Sequence, residues 1–193
     1  MPDGAVVGAR QRPCRYPNTI FRTTITGVHT MKYLFVDDQP NYLRVHKDTL
    51  REAGHEVEIA RDLDVAWKRI EEERKAASPF DLVLIDLGLD RKILEFEQED
   101  EELRKKAFAA RSGQALGLRL WRRRRELQQR YCYVTNNPWI LGELEGEDPE
   151  LGAKASKELN DTLVLDKSKL GPENVEEKFQ RAYRIWEDEQ WLR

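Results

Sequence analysis

Five short apolar or alternating runs, separated by stretches of helical spacing, constrain this chain more than any other feature. They are KYLFVD (32–37), HEVEIA (55–60), DLVLID (81–86), YCYVTNN with its loop (131–137) and TLVLDK (162–167). After the first run, Pro40 sits where an opening helical turn tolerates it, and a helix is expected through Ala53, closed by Gly54. Asp62 is an N-cap candidate, followed by Leu63, Ala66, Trp67 and Ile70 on one helical face. Ser78-Pro79 breaks that helix, and DLVLID is apolar enough for a strand buried on both sides. Gly113 introduces a helix through Leu116, Leu120 and Leu127. A last helix, starting near Pro172, aligns Val175, Phe179, Ala182, Tyr183 and Trp186. Strand and helix thus alternate five times, which predicts an α/β fold: a five-stranded parallel sheet covered on both faces by right-handed crossovers.

Composition narrows the class. The 193 residues suffice for one domain with a sizeable core. Lys plus Arg number 33 against 36 Asp plus Glu, a net charge of −3 that gives no general pull toward nucleic acid or a membrane surface. Cys14 and Cys132 have no metal-type spacing, so a reduced, cytoplasmic setting is expected. No apolar run approaches the roughly 18 residues of a membrane span. Residues 1–30 lack the apolar core of a signal peptide and any helical period; they are predicted to be a disordered extension, with Met31 as the natural start and 31–193 as a single domain.

Two charged segments interrupt the alternation. Residues 91–111 run from EFEQEDEE to RKK, predicting a solvated helical insertion with Glu101–Lys105 and Glu102–Lys106 pairs. RRRR at 122–125 reads as a solvated, dipole-favoured helix end rather than a phosphate site. The mixed stretch 138–160 is expected to hold an irregular helix.

In open α/β sheets ligands bind at the carboxyl ends of the strands, near the topological switch point. Asp37 and Asp38 close the first run, Asp86 the third, Thr135 the fourth and Lys167 the fifth. In strand order 2-1-3-4-5 the first and third strands are neighbours, so three carboxylates converge. Such a cluster must be neutralised by a proton or a cation, and all-oxygen ligands with room for water suit Mg²⁺. With a hydroxyl from Thr135 and a positive charge from Lys167, the set fits phosphoryl transfer. Taken singly, each has a structural alternative: Asp37-Asp38 as caps before Pro40, Lys167 as a snorkelling surface lysine. His29, His46 and His55 share no ligand spacing, and Trp67 and Trp186 read as core.

Residues 31–193 resemble a response-regulator receiver domain of two-component signalling, a CheY-like, flavodoxin-like (βα)5 three-layer sandwich. YLFVDDQP is similar to that family's acidic pair, LVLIDLGL to its phosphoacceptor site, YVTNN to its strand-4 Thr/Ser and LVLDKS to its strand-5 lysine. SGQALGLRL resembles the start of its third helix. The resemblance implies that Asp86 accepts a phosphoryl group from a phosphohistidine on a sensor histidine kinase or histidine phosphotransfer protein. It implies Mg²⁺ held by Asp37, Asp38, Asp86 and the Gly88 carbonyl, with Lys167 and Thr135 contacting the phosphoryl group. Ser168 stands where the family usually has proline, Val164 where it has an aromatic switch residue, and the insertion at about 91–111 precedes the third helix.

Two other functions compete. A pseudo-receiver would bind partners without phosphorylation; Val164 and Ser168 favour it, the intact acidic set does not. A Mg²⁺-dependent phosphatase of the haloacid-dehalogenase type needs Asp-x-Asp, where VDDQP has adjacent aspartates, and toprim chemistry needs an Asp-x-Asp that IDLGLD lacks. No P-loop or Gly-x-Gly-x-x-Gly occurs. No output domain follows the last helix, so direct DNA binding is not expected and a downstream partner is.

Overall fold

The computed structural model describes residues 30–89, 96–106, 112–136, 138 and 157–193. All five apolar runs become strands: β1 (Lys32–Val36), β2 (Glu56–Ala60), β3 (Leu82–Ile85), β4 (Tyr131–Thr135) and β5 (Val164–Asp166). They pair in parallel in the order β2-β1-β3-β4-β5, as the sequence predicts. β3 and β4 are buried along their whole length, which accounts for their nearly unbroken apolar character.

Seven α-helices lie among the described residues: α1 (Arg44–Glu52), α2 (Leu63–Lys75), α3 (Glu97–Lys106), α4 (Ser112–Arg122), α5 (Arg124–Leu127), α6 (Lys157–Leu163) and α7 (Val175–Asp188). The chain moves one way from β1 to β2 and the other way from β2 to β3. Right-handed crossovers therefore set α1 and α2 on opposite faces. α7 packs beside α1, bringing Phe179 onto Tyr33 and Phe35, while α4 packs beside α2.

Local signals act largely as expected. Asp62 caps α2 by accepting the Val65 N–H at 2.7 Å, and the predicted face of Leu63, Ala66, Trp67 and Ile70 is buried. Gly54 takes φ +90°, the left-handed turn that lets the chain leave α1 for β2. The helix expected from Pro40 opens as a 3-10 turn, Pro40–Leu43, before α1 begins. The helix through Leu127 is split at Arg123 into α4 and α5. α7 starts at Val175, after a turn in which the Asn174 side chain accepts the Gly171 N–H. Trp67 and Trp186 are core, as predicted, whereas Tyr183 is only partly buried beneath Arg130.

β5 is shorter than TLVLDK implied. Thr162 and Leu163 belong to α6, where the Thr162 hydroxyl donates to the Glu158 carbonyl one turn back. β5 first pairs at Tyr133, and below it the Tyr131 carbonyl receives the Trp186 indole N–H at 2.8 Å instead. Trp121, Trp186 and Trp191 cluster in that space, with Trp191 edge to face on the other two.

The charged segments need the larger correction. The insertion does contain a helix, α3, but it is docked rather than solvated. Phe96 is fully buried and meets the Trp67 ring edge-on, and the Arg119 guanidinium lies 3.8 Å above the Phe96 ring. Arg119 grips Glu99 through two nitrogens at 2.7 Å each, and Arg122 reaches Glu102 at 2.7 Å. Lys105 and Lys106, the expected partners within the helix, have side chains outside those described. The arginine run is likewise structural: Arg123 pairs with Glu126, and Arg124 stacks on Trp121 and donates to the Trp191 carbonyl. A guanidinium satisfies an aromatic face and a carboxylate together, so these side chains join elements that the sequence pattern treats separately.

Burial penalises the Glu99 carboxylate, but the hydrogen bonds from Arg119 and the charges of Arg119 and Arg122 outweigh it and hold its pKa below the usual range. A depressed folded-state pKa contributes stability that is full above the unfolded glutamate value, about 4.3, and is lost as pH falls through the folded value. Acidification below about pH 4 is therefore expected to release α3 before the sheet. Amide resonances of Glu97–Lys106 that move only together with those of β1 and β3 would contradict this.

Residues 1–29, which make up nearly all of the predicted extension, lie outside the described residues, as do 90–95, 107–111 and 139–156. No helix among the described residues is long and apolar enough to cross a membrane.

Candidate functional site

Parallel strands deliver their last residues to one edge, and here backbone bonds set those residues at matching heights. Asp37 N–H donates to the Ala60 carbonyl and Asp86 N–H to the Val36 carbonyl, each at 2.9 Å. Asp37 and Asp86 are the first residues beyond β1 and β3, Thr135 ends β4, and Lys167 follows β5 directly. One carboxylate oxygen from each of Asp37, Asp38 and Asp86 lies within 4.8 Å of the others.

Lys167 organises this cluster. Its Nζ donates to Asp37 Oδ2 at 2.7 Å and to Asp86 Oδ2 at 2.6 Å. The other oxygens are held by local turns: Asp37 Oδ1 accepts the Gln39 N–H at 2.7 Å, and Asp86 Oδ1 accepts the Gly88 N–H at 3.1 Å. The Asp37 side chain is only 2% exposed, against 13% for Asp86. Asp37 therefore serves as a buried anchor, while Asp86 faces the opening. Two of the three carboxylates share the one ammonium, so the acidic groups of the cluster outnumber the basic one. An all-oxygen donor set with solvent access fits a small, hard divalent cation.

The opening is a cavity of about 200 Å³ lined by Asp38, Gln39, Tyr42, Asp86, Gly88, Thr135, Asn136 and Lys167. Every residue that the sequence nominated is thus at one edge, Asp37 just beneath the rest. Gln39, Tyr42 and Asn136 were not nominated. Asn136 could have been, since it directly follows Thr135. Tyr42 is 72% exposed at the cavity mouth, and only the turn at Pro40 puts it there.

Gly113 was nominated as a helix start, and its contact is with the site itself. A Cβ there would stand 2.0 Å from the Asp86 carbonyl oxygen and 3.0 Å from Leu87 Cα. Only glycine lets α4 approach the loop after β3 this closely.

Ser168 also has a local reason. Its N–H and its hydroxyl both donate to Asp166 Oδ1, at 2.9 and 2.6 Å. Those bonds from Ser168, helped by Lys169, hold the Asp166 carboxyl below its usual pKa. Proline lacks the N–H that this turn uses.

The topology and the acidic strand-end cluster define a doubly wound α/β protein with a carboxylate-rich, cation-compatible site at its switch point. No family model matches the chain, and no curated protein does. Its neighbours among solved structures include CheY-like receiver domains. One is a response regulator receiver domain protein from Methanospirillum hungatei, 20% identical, covering 83% of this chain and 98% of that one, with a TM-score of 0.47. Another is the REC domain of the PhyR response regulator of Erythrobacter litoralis, 15% identical, covering 81% and 92%, with a TM-score of 0.49.

Proposed function

We propose that this chain is a phosphoaccepting receiver domain. In this reading Asp86 takes a phosphoryl group from a phosphohistidine on a sensor histidine kinase or histidine phosphotransfer protein in the cytoplasm, and a change of conformation passes the signal to a downstream protein. The observation that carries it is Lys167 Nζ, 2.6 Å from Asp86 and 2.7 Å from Asp37, inside a three-carboxylate cluster that opens on a cavity.

An Asp86 oxygen attacks phosphorus in line with the donor imidazole. The P–O bond forms as the P–N bond breaks, and the imidazole leaves with the electron pair and takes its proton from solvent. The Gly88 N–H holds Oδ1 in place during attack. Lys167 turns from the carboxylate to a phosphoryl oxygen, and the Thr135 hydroxyl on the cavity wall donates to another. Asp37, Asp38, Asp86 and the Gly88 carbonyl would hold Mg²⁺, which supplies neutralisation of the charge on the transferring group. No base is drawn into the step, because the nucleophile is a carboxylate paired with Lys167. The module's own chemistry ends at capture and slow hydrolysis.

The test is incubation with Mg²⁺ and acetyl phosphate, read by intact mass. One phosphoryl adduct is expected in the native sequence and none in Asp86→Asn. Absence of an adduct in the native sequence refutes the reading and favours a pseudo-receiver, and steady turnover of a phosphoester favours a phosphatase.

A further inference from the structure

The insertion leaves and rejoins the fold beside Asp86. It departs after Leu89 and returns at Ser112, and the next residue is the Gly113 that abuts the Asp86 carbonyl with no room for a Cβ. From that contact α4 carries Arg119, less than two turns on, to Glu99, and Arg122 to Glu102. The Arg119 guanidinium lies between two demands: its Nε and Nη2 both donate to Glu99, and its face covers Phe96, which is itself buried against Trp67. Acceptor loop, α4 and α3 therefore form one contiguous chain of close contacts.

We infer that α3 is a built-in sensor of the state of Asp86: modification there displaces α4 through Gly113 and loosens the Glu99–Arg119 clamp that docks α3. The inference rests on the receiver reading above. Phosphorylation adds charge and bulk to Asp86 and draws Lys167 off Asp37, so the bonds that hold the Asp86–Gly88 turn rearrange. The Asp86 carbonyl cannot move toward α4 without moving it, because packed backbone has no slack. The sign follows from the geometry of the clamp. A planar fork with two bonds at 2.7 Å is near its optimum, so displacement in any direction weakens it. Coupling is reciprocal, so a weakened clamp makes the phosphorylated state easier to reach.

The test is hydrogen exchange on the full chain with Mg²⁺, with and without acetyl phosphate, the adduct being measured by intact mass in the same samples. Exchange across Glu97–Lys106 is expected to rise about 5-fold or more with the adduct, while α2 and α7 stay unchanged, and not to rise in Asp86→Asn. Glu99→Gln is expected to exchange faster before phosphorylation, to respond less and to accumulate more adduct; Arg119→Lys, which keeps the charge but loses the fork, is expected to do the same. If α3 exchange is unchanged while Asp86 carries the phosphoryl group, the sensor inference fails and the receiver reading stands. Equal rises in α2 and α7 mean general loosening and also overturn it. If no adduct forms, both fail together.

Discussion

Replacing Lys167 with methionine is expected to destabilise the fold by about 3–5 kcal/mol in the absence of divalent cation. Lys167 is the ammonium that bridges Asp37 and Asp86. Its side chain is 9% exposed, that of Asp37 2% and that of Asp86 13%, so little solvent screens the carboxylates once it is gone. Methionine fills a similar volume, which separates the loss of charge from the loss of packing. Added Mg²⁺ is expected to restore more stability to Lys167→Met than it adds to the native sequence, because the cation then takes over the neutralising role. Urea denaturation with and without Mg²⁺ decides this. Equal midpoints for the two proteins without Mg²⁺ would show that the cluster does not depend on Lys167.

The second large effect is expected at Gly113. An alanine Cβ would stand 2.0 Å from the Asp86 carbonyl oxygen, an atom of the backbone that no side-chain rotation can remove. Either α4 withdraws, lifting Leu116 and Leu120 from the core, or the loop after β3 shifts. Overpacking of this kind costs about 1–3 kcal/mol and occasionally more, whereas alanine regains about 1 kcal/mol of helix propensity over glycine. The steric term wins, so a net loss of about 1 kcal/mol is expected in urea denaturation and, under the receiver reading, slower phosphoryl capture at Asp86. Gly113→Ala as stable as the native sequence would mean that the contact yields easily, and would also weaken the case for α3 as a sensor.

The strands were legible because their signal is local. KYLFV, LVLI and YCYVT are apolar in runs too short for helices, and each is buried on both faces of the sheet. The residues at the site edge were legible for a related reason. A parallel sheet aligns every strand end, so Asp37, Asp86, Thr135 and Lys167 needed only the right strand order to meet. The boundary of β5 was not legible, because Thr162 and Leu163 suit a strand by type and their neighbours in α6 settle the matter.

The charged half was misread for a physical reason. EFEQEDEE and RRRR look solvated when each is judged against water, since single runs of one sign carry no sign of a partner. Glu99 and Arg119 lie 20 residues apart, and Arg124 and Trp191 are 67 apart. Composition and periodicity therefore determine the α/β class and the carboxylates at the strand ends, because these follow from patterns within about ten residues, while the strand order that makes them converge follows from the resemblance to receiver domains. Docking of α3 and the seating of Gly113 on the loop after β3 depend on contacts between distant segments. Those exist only once the chain has closed on itself, since guanidinium stacking and backbone approach depend on distances in space and leave no period in the sequence.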